Sequence, residues 1–235
     1  TPSNSSAASD VYKRQTSYMP PEMVVKKAKQ NGCKGIAFTY NEPTVWYEYM
    51  LDIARLAQEK DLKTVMISSG YINPAPLKEL LKVLDGVKID LKAFDQEYYQ
   101  KIVGGKLEPV LESLKIVKES GVWLEIVNLI LPGYNDDEQE ISQMCLWIKD
   151  NLGEDVPLHF LRFHPDYRMK NLPPTPPETL KKAREICLQT GLNYVYVGNL
   201  ASDQQGSTTF CPDNGEPLIK RKGFFVEENK IDEQG

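Results

Sequence analysis

Val87-Lys88-Ile89-Asp90-Leu91-Lys92 decides the fold. Apolar and charged residues alternate here at period 2, so a strand sets Val87, Ile89 and Leu91 on one face and Lys88, Asp90 and Lys92 on the other. Burying such charges unpaired costs on the order of several kcal/mol each, so they need one another, water or a polar ligand. A salt-bridged strand end with no ligand meets the same need.

Outward from this segment, short β-branched runs recur at 35–40, 63–68, 122–131, 157–164 and 194–198. Helical patterns fill most of the intervals, among them a helix opening at Pro20-Pro21-Glu22 and an amphipathic helix over 44–60. Strands that are nearly continuous in apolar residues and separated by helices predict a parallel sheet covered by helices. The predicted fold class is α/β, a partial parallel (β/α) barrel. A doubly wound sheet is the alternative, but no G-x-G-x-x-G follows any strand.

Residues 1–16 are polar and aperiodic and are expected to be a disordered or artefactual leader. The barrel is assigned to 17–200 and a tail to 201–235, where Pro212-Asp213-Asn214-Gly215 predicts a hairpin.

The chain of 235 residues, 41% hydrophobic and 26% charged, can bury one sizeable core. Its 28 basic and 33 acidic residues leave a net charge of -5, which offers a polyanion no general attraction, so nucleic acid is not an expected partner. No run approaches the roughly 20 apolar residues that span a bilayer, so no membrane partner is expected and the predicted location is cytoplasmic. Cys33, Cys145, Cys187 and Cys211 lie far apart, without metal-site spacing. Cys145 and Cys187 fall in helical runs and read as small buried hydrophobes, and no disulfide framework is indicated.

In a parallel barrel, functional groups gather where strands end at their carboxyl side. The polar ends are Thr39-Tyr40-Asn41-Glu42-Pro43, Ser68-Ser69-Gly70, Asp90-Leu91-Lys92, Pro132-Gly133 and Arg162-Phe163-His164-Pro165. Asn41-Glu42-Pro43 also reads as ordinary helix-start chemistry. His159 and His164, five apart on one strand, point to opposite faces, which excludes joint metal ligation from a regular strand. His164 is the functional candidate, with aromatic packing as its alternative, and His159 reads as structural.

In this order these residues resemble the radical S-adenosylmethionine superfamily, most closely the radical SAM enzyme of the AmmeMemoRadiSam system, a relative of pyruvate formate-lyase activating enzyme. The resemblance covers about 19–200. It rests on Ala37-Phe-Thr-Tyr-Asn-Glu-Pro-Thr44, Val87-Lys-Ile-Asp-Leu-Lys-Ala93, Val103-Gly-Gly-Lys-Leu-Glu-Pro-Val-Leu-Glu-Ser113, Leu129-Ile-Leu-Pro-Gly-Tyr-Asn-Asp136 and Arg162-Phe-His-Pro-Asp-Tyr167. It implies S-adenosylmethionine as cofactor. Asn41 and Glu42 would face its amino group, Ser68 its carboxylate, Asp90 and Lys92 its methionine and ribose end, and His164 its adenine, with Asn128 a further match. It also implies a 4Fe–4S cluster that cleaves the nucleotide to a 5'-deoxyadenosyl radical, which takes hydrogen from an unknown substrate, in some cases a protein.

The family holds its cluster with C-x3-C-x2-C, ahead of the segment that matches Met19. No such motif occurs in these residues, so the expectation is a fragment, inactive as given, of an enzyme. Cys211-Pro-Asp-Asn214-Gly215 resembles a family C-P-x-C-G knuckle with Asn214 in place of the second cysteine, so no metal site is expected there. Two readings compete with the radical SAM body: a noncatalytic binding remnant, and an unrelated barrel aldolase with Lys92 as its amine. Asp90 would keep that amine protonated and weighs against the aldolase. Borohydride trapping of Lys92 would favour the aldolase, and an in-frame upstream cysteine motif the truncated enzyme.

Overall fold

The fold is known from a computed structural model that describes residues 18–200, 204–223 and 225–231. The leader at 1–16 lies outside the described residues. Six strands, β1 (Gly35–Phe38), β2 (Lys63–Ser68), β3 (Gly86–Asp90), β4 (Trp123–Ile130), β5 (Leu158–Arg162) and β6 (Val195–Gly198), follow one another in sheet order as in sequence. With the helices between them they make the α/β fold of a partial parallel barrel.

The chain divides into two compact units. The first comprises Thr1–Asp90, Glu108–Leu124 and Asp166–Asn171. Here β1 pairs with β2, and β2 with β3, in parallel register. Its helices are α1 (Pro21–Gln30), α2 (Tyr47–Gln58), α3 (Pro74–Leu80) and α4 (Glu108–Ser120). The helix predicted over 44–60 divides: Pro43–Trp46 is a 3-10 turn and α2 follows. In α2 the buried positions Met50, Leu51, Ile53, Ala54 and Ala57 form one stripe, which is the spacing a helix needs to cover a sheet. Gly35 is required by space, because a Cβ there would stand 2.6 Å from the Lys63 carbonyl oxygen.

The second unit comprises Leu91–Leu107, Glu125–Pro165 and Leu172–Gly235. Strands β4, β5 and β6 pair in parallel, with His159 directly opposite both Val127 and Tyr196. Its long helices are α5 (Glu138–Leu152) and α6 (Pro177–Gln189). α5 buries Ile141, Met144, Cys145, Ile148 and Leu152 along one face.

Cys145 and Cys187 are joined as a disulfide between α5 and α6, with Cα atoms 5.4 Å apart. This corrects the reading of two separate hydrophobes: both are fully buried, as expected, but helix packing brings them together across 42 residues. Cys33 and Cys211 are free.

The tail carries a three-stranded antiparallel sheet, β7 (Thr209–Phe210), β8 (Pro217–Lys222) and β9 (Phe225–Asn229). The predicted hairpin at 212–215 is its first turn, closed by Gly215 N–H donating to the Cys211 carbonyl at 2.9 Å.

Candidate functional site

In the first unit, polar groups gather where β1 and β2 end. The extended backbone of Glu42 lets its carboxylate accept from Thr44 N–H at 3.3 Å, which starts the 3-10 turn. Oε1 also accepts from the Thr44 hydroxyl at 3.0 Å and the Ser68 hydroxyl at 2.7 Å. Oε2 accepts from the Ser69 N–H at 2.8 Å and the Ser69 hydroxyl at 2.6 Å. Helix-start chemistry and convergence on the strand tips are thus performed by one side chain.

Ser68 is buried, and its oxygen also accepts from Gly70 N–H at 3.0 Å. Gly70 has φ +71°, and a Cβ there would approach Ile89 to 2.9 Å, so both conformation and space demand glycine. Asn41 and its neighbour Tyr40 are exposed. On β3 the alternation is as expected: Val87 and Ile89 are buried, while Lys88 and Asp90 share the other face, their charges 3.6 Å apart. The pair is partly solvated, which limits its strength.

In the second unit, the backbone around Lys92 is gripped by side chains. Lys92 N–H donates to the Tyr99 hydroxyl at 3.1 Å, and the Lys92 carbonyl accepts from Asn135 Nδ2 at 2.7 Å. Asn128 donates to the Leu91 carbonyl at 2.8 Å and lies 3.8 Å from Met144 sulfur. It shares the buried face of β4 with Leu124, Ile126 and Ile130. Its amide nitrogen thus acts on the Leu91 backbone. His164 is exposed and lies two residues beyond the end of β5, which stops at Arg162.

The loop after β5 is fixed by Thr175, fully buried, whose hydroxyl accepts from Phe163 N–H at 2.9 Å and donates to the Ile130 carbonyl at 2.6 Å. Arg162 Nε adds a bond to the Thr175 carbonyl at 2.8 Å. The His159 ring stacks on Tyr196 with centroids 5.0 Å apart, and Nε2 lies 3.2 Å from Glu125 Oε2.

Near the start of α5, Glu140 accepts from Phe94 N–H at 2.7 Å. Burial raises its pKa against the help of that N–H, and Asp95, Asp137 and Asp136 add to the rise. Burial, with Glu140 and Tyr134 nearby, pushes Tyr98 up to about 12.

Residue-by-residue reading missed Asn135 and Thr175, because a polar side chain in a turn rich in proline and glycine reads as solvated, and Tyr99, because an aromatic ring in a helical segment reads as core packing. The one available signal was that Asn135 falls at the close of the Leu129–Asp136 motif.

The geometry suits an α-amino acid group: Glu42 is a carboxylate surrounded by hydroxyl rotors that can turn to other partners, and Lys88 and Asp90 offer both signs of charge. An iron–sulfur cluster does not fit these residues. The sequence holds no C-x3-C-x2-C, two of its four cysteines are bonded to each other, and the described residues contain no group of metal-ligating side chains. Among them no helix is long and apolar enough to cross a membrane.

The chain is 45% identical over 214 residues to the uncharacterised protein MJ0808 of Methanocaldococcus jannaschii, a match spanning 91% of this chain and 63% of that protein's length. It is 25% identical over 170 residues to pyruvate formate-lyase 1-activating enzyme of Escherichia coli, covering 67% of this chain and 69% of that enzyme. Among solved structures, a domain of pyruvate-formate lyase-activating enzyme from Bacteroides vulgatus shares the fold with TM-score 0.62 at 19% identity, covering 70% of this chain and 99% of that one. SuiB from Streptococcus suis, solved bound to S-adenosylmethionine, shares it with TM-score 0.65 at 12% identity, covering 85% and 48%. Residues 6–145 match the Radical SAM superfamily, and with the parallel α/β fold this establishes that the chain belongs to that superfamily.

Proposed function

We propose that this chain is the S-adenosylmethionine-binding body of a radical SAM enzyme of the activating type. The observation that supports it best is the Glu42 carboxylate, bonded to Ser68 and Ser69 at the ends of β1 and β2, within the segment of the family match. In this reading Glu42 and Asn41 accept from the ammonium of the methionine moiety. The hydroxyls now donating to Glu42 rotate, and Ser68 faces the carboxylate.

Asp90 and Lys92 hold the methionine and ribose end, His164 lies beside the adenine, and Asn128 supports the site through the Leu91 backbone. When bound, S-adenosylmethionine supplies the 5'-deoxyadenosyl group that the family uses to abstract hydrogen. These residues bind and orient it and shield it from water. Hydrogen abstraction is assigned to no residue of this chain, whose cysteines do not hold the cluster. Relatives named as activating enzymes of pyruvate formate-lyase and of 4-hydroxyphenylacetate decarboxylase suggest another protein as the substrate.

Calorimetric titration with S-adenosylmethionine tests the reading. Wild type is expected to bind, and Glu42→Gln and Asp90→Ala to bind at least about tenfold more weakly, a loss of about 1.4 kcal/mol or more. Equal heats for the three proteins would overturn it.

A further inference from the structure

The geometry points to Asn135 as a positioning residue for Lys92, acting through the backbone from within the turn that follows β4. The turn is built locally. Tyr134 and Asn135 N–H groups donate to the Leu131 carbonyl at 3.1 and 3.4 Å, and Gly133, at φ +76°, donates to Asp136 Oδ1 at 2.8 Å. The chain thereby folds back and drives the Asn135 side chain inward, where 2% of the residue remains exposed.

Buried there, the amide makes three hydrogen bonds. Nδ2 donates to the Lys92 carbonyl at 2.7 Å and to the Leu129 carbonyl at 2.9 Å, and Oδ1 accepts from Leu131 N–H at 2.6 Å. Two donors and one acceptor on a single planar group are what this position needs, and among short side chains only asparagine supplies them. Aspartate would keep the bond from Leu131 but turn oxygen lone pairs onto two carbonyls.

Lys92 lies just past the end of β3, which stops at Asp90, and side chains take over the grip on its backbone there. Tyr99 accepts the N–H, Asn135 caps the carbonyl, and Asn128 holds the preceding carbonyl of Leu91. The direction in which the lysine stem leaves the backbone is set by these three bonds. Asn135 is the member that also ties Lys92 to the end of β4, so a disturbance at the turn reaches the ammonium. That Lys92 contacts a nucleotide rests on the function proposed above; that Asn135 places it does not.

The test reads Lys92 directly. Lysines of the whole chain are reductively methylated with 13C-formaldehyde and observed by NMR, the Lys92 resonance being the one lost in Lys92→Arg. Asn135→Ala and Asn135→Asp are both expected to move the Lys92 resonance while the other lysines stay in place. An unmoved Lys92 in both variants overturns the proposal. Recovery in Asn135→Asp does so too, because it would show that only the bond from Leu131 matters. Should both variants fail to fold, Tyr99→Phe, which removes one of the three bonds, is expected to move Lys92 and overturns the proposal if it does not.

Titration with S-adenosylmethionine gives a second measurement. Asn135→Ala is expected to weaken binding about tenfold with Lys92 present and to add nothing in a Lys92→Ala background. An equal factor in both backgrounds overturns the proposal. If wild type binds no S-adenosylmethionine, the proposed function falls and the resonance of Lys92 still decides the role of Asn135.

Discussion

Thr175 shows how much one hidden hydroxyl can organise. It joins Ile130 at the end of β4 to Phe163 after β5, with no exposure to solvent. Thr175→Val keeps the shape and leaves a buried N–H and a buried carbonyl without partners, which is expected to cost about 2–4 kcal/mol, with Thr175→Ser costing less. Denaturant unfolding measures both. Glu140 gives a pH signature. Its pKa is raised in the fold, so between its ordinary and its raised value the folded state holds the proton more firmly than the unfolded chain. Stability from this group is therefore present at acid pH and lost as pH rises through that window, and Glu140→Gln should remove the slope in unfolding curves collected from about pH 4 to about pH 8. The alternation that put Lys88 and Asp90 on one face was legible because strand parity is local. Asn135 and Thr175 were not legible, since their partners are backbone atoms brought near only by the finished fold.

At the level of elements, α5 begins at Asp137, whose carboxylate accepts from Gln139 and Glu140 N–H at 3.0 and 2.9 Å. Asp137→Ala removes that cap and is expected to lower stability by about 1 kcal/mol, read from the unfolding midpoint. The strands were readable from β-branched apolar runs, but their ends were not: the predicted 157–164 run stops at Arg162 and the predicted 87–92 run at Asp90. In each case the ladder ends where side-chain bonds replace it, at Thr175 for one and at Asn135 and Tyr99 for the other. Hydrophobicity alone carries no record of that exchange. The division of the 44–60 helix has a similar cause, since Glu42 draws the Thr44 amide toward the strand tips.

For the molecule as a whole, the Cys145–Cys187 bridge is a covalent link between two helices. It closes a separation of 42 residues between α5 and α6, and the loss of loop entropy in the unfolded chain makes it worth up to about 4 kcal/mol. Unfolding with and without a thiol reductant should differ by that amount or less, and Cys145→Ser should match the reduced protein. Two cysteines 42 positions apart gave no pairing signal in the sequence, because only the packing of the two helices defines it. The tail is bound into the second unit as well. Tyr196 on β6 meets the Thr209 hydroxyl at 3.0 Å, and Arg221 on β8 donates to that same hydroxyl at 2.8 Å and to the Ser207 carbonyl at 3.1 Å. Anyone shortening this protein for crystallography should therefore keep the strands that follow β6. A stop placed just after β6 would strand a phenol and open the flank of the final barrel strand to self-association.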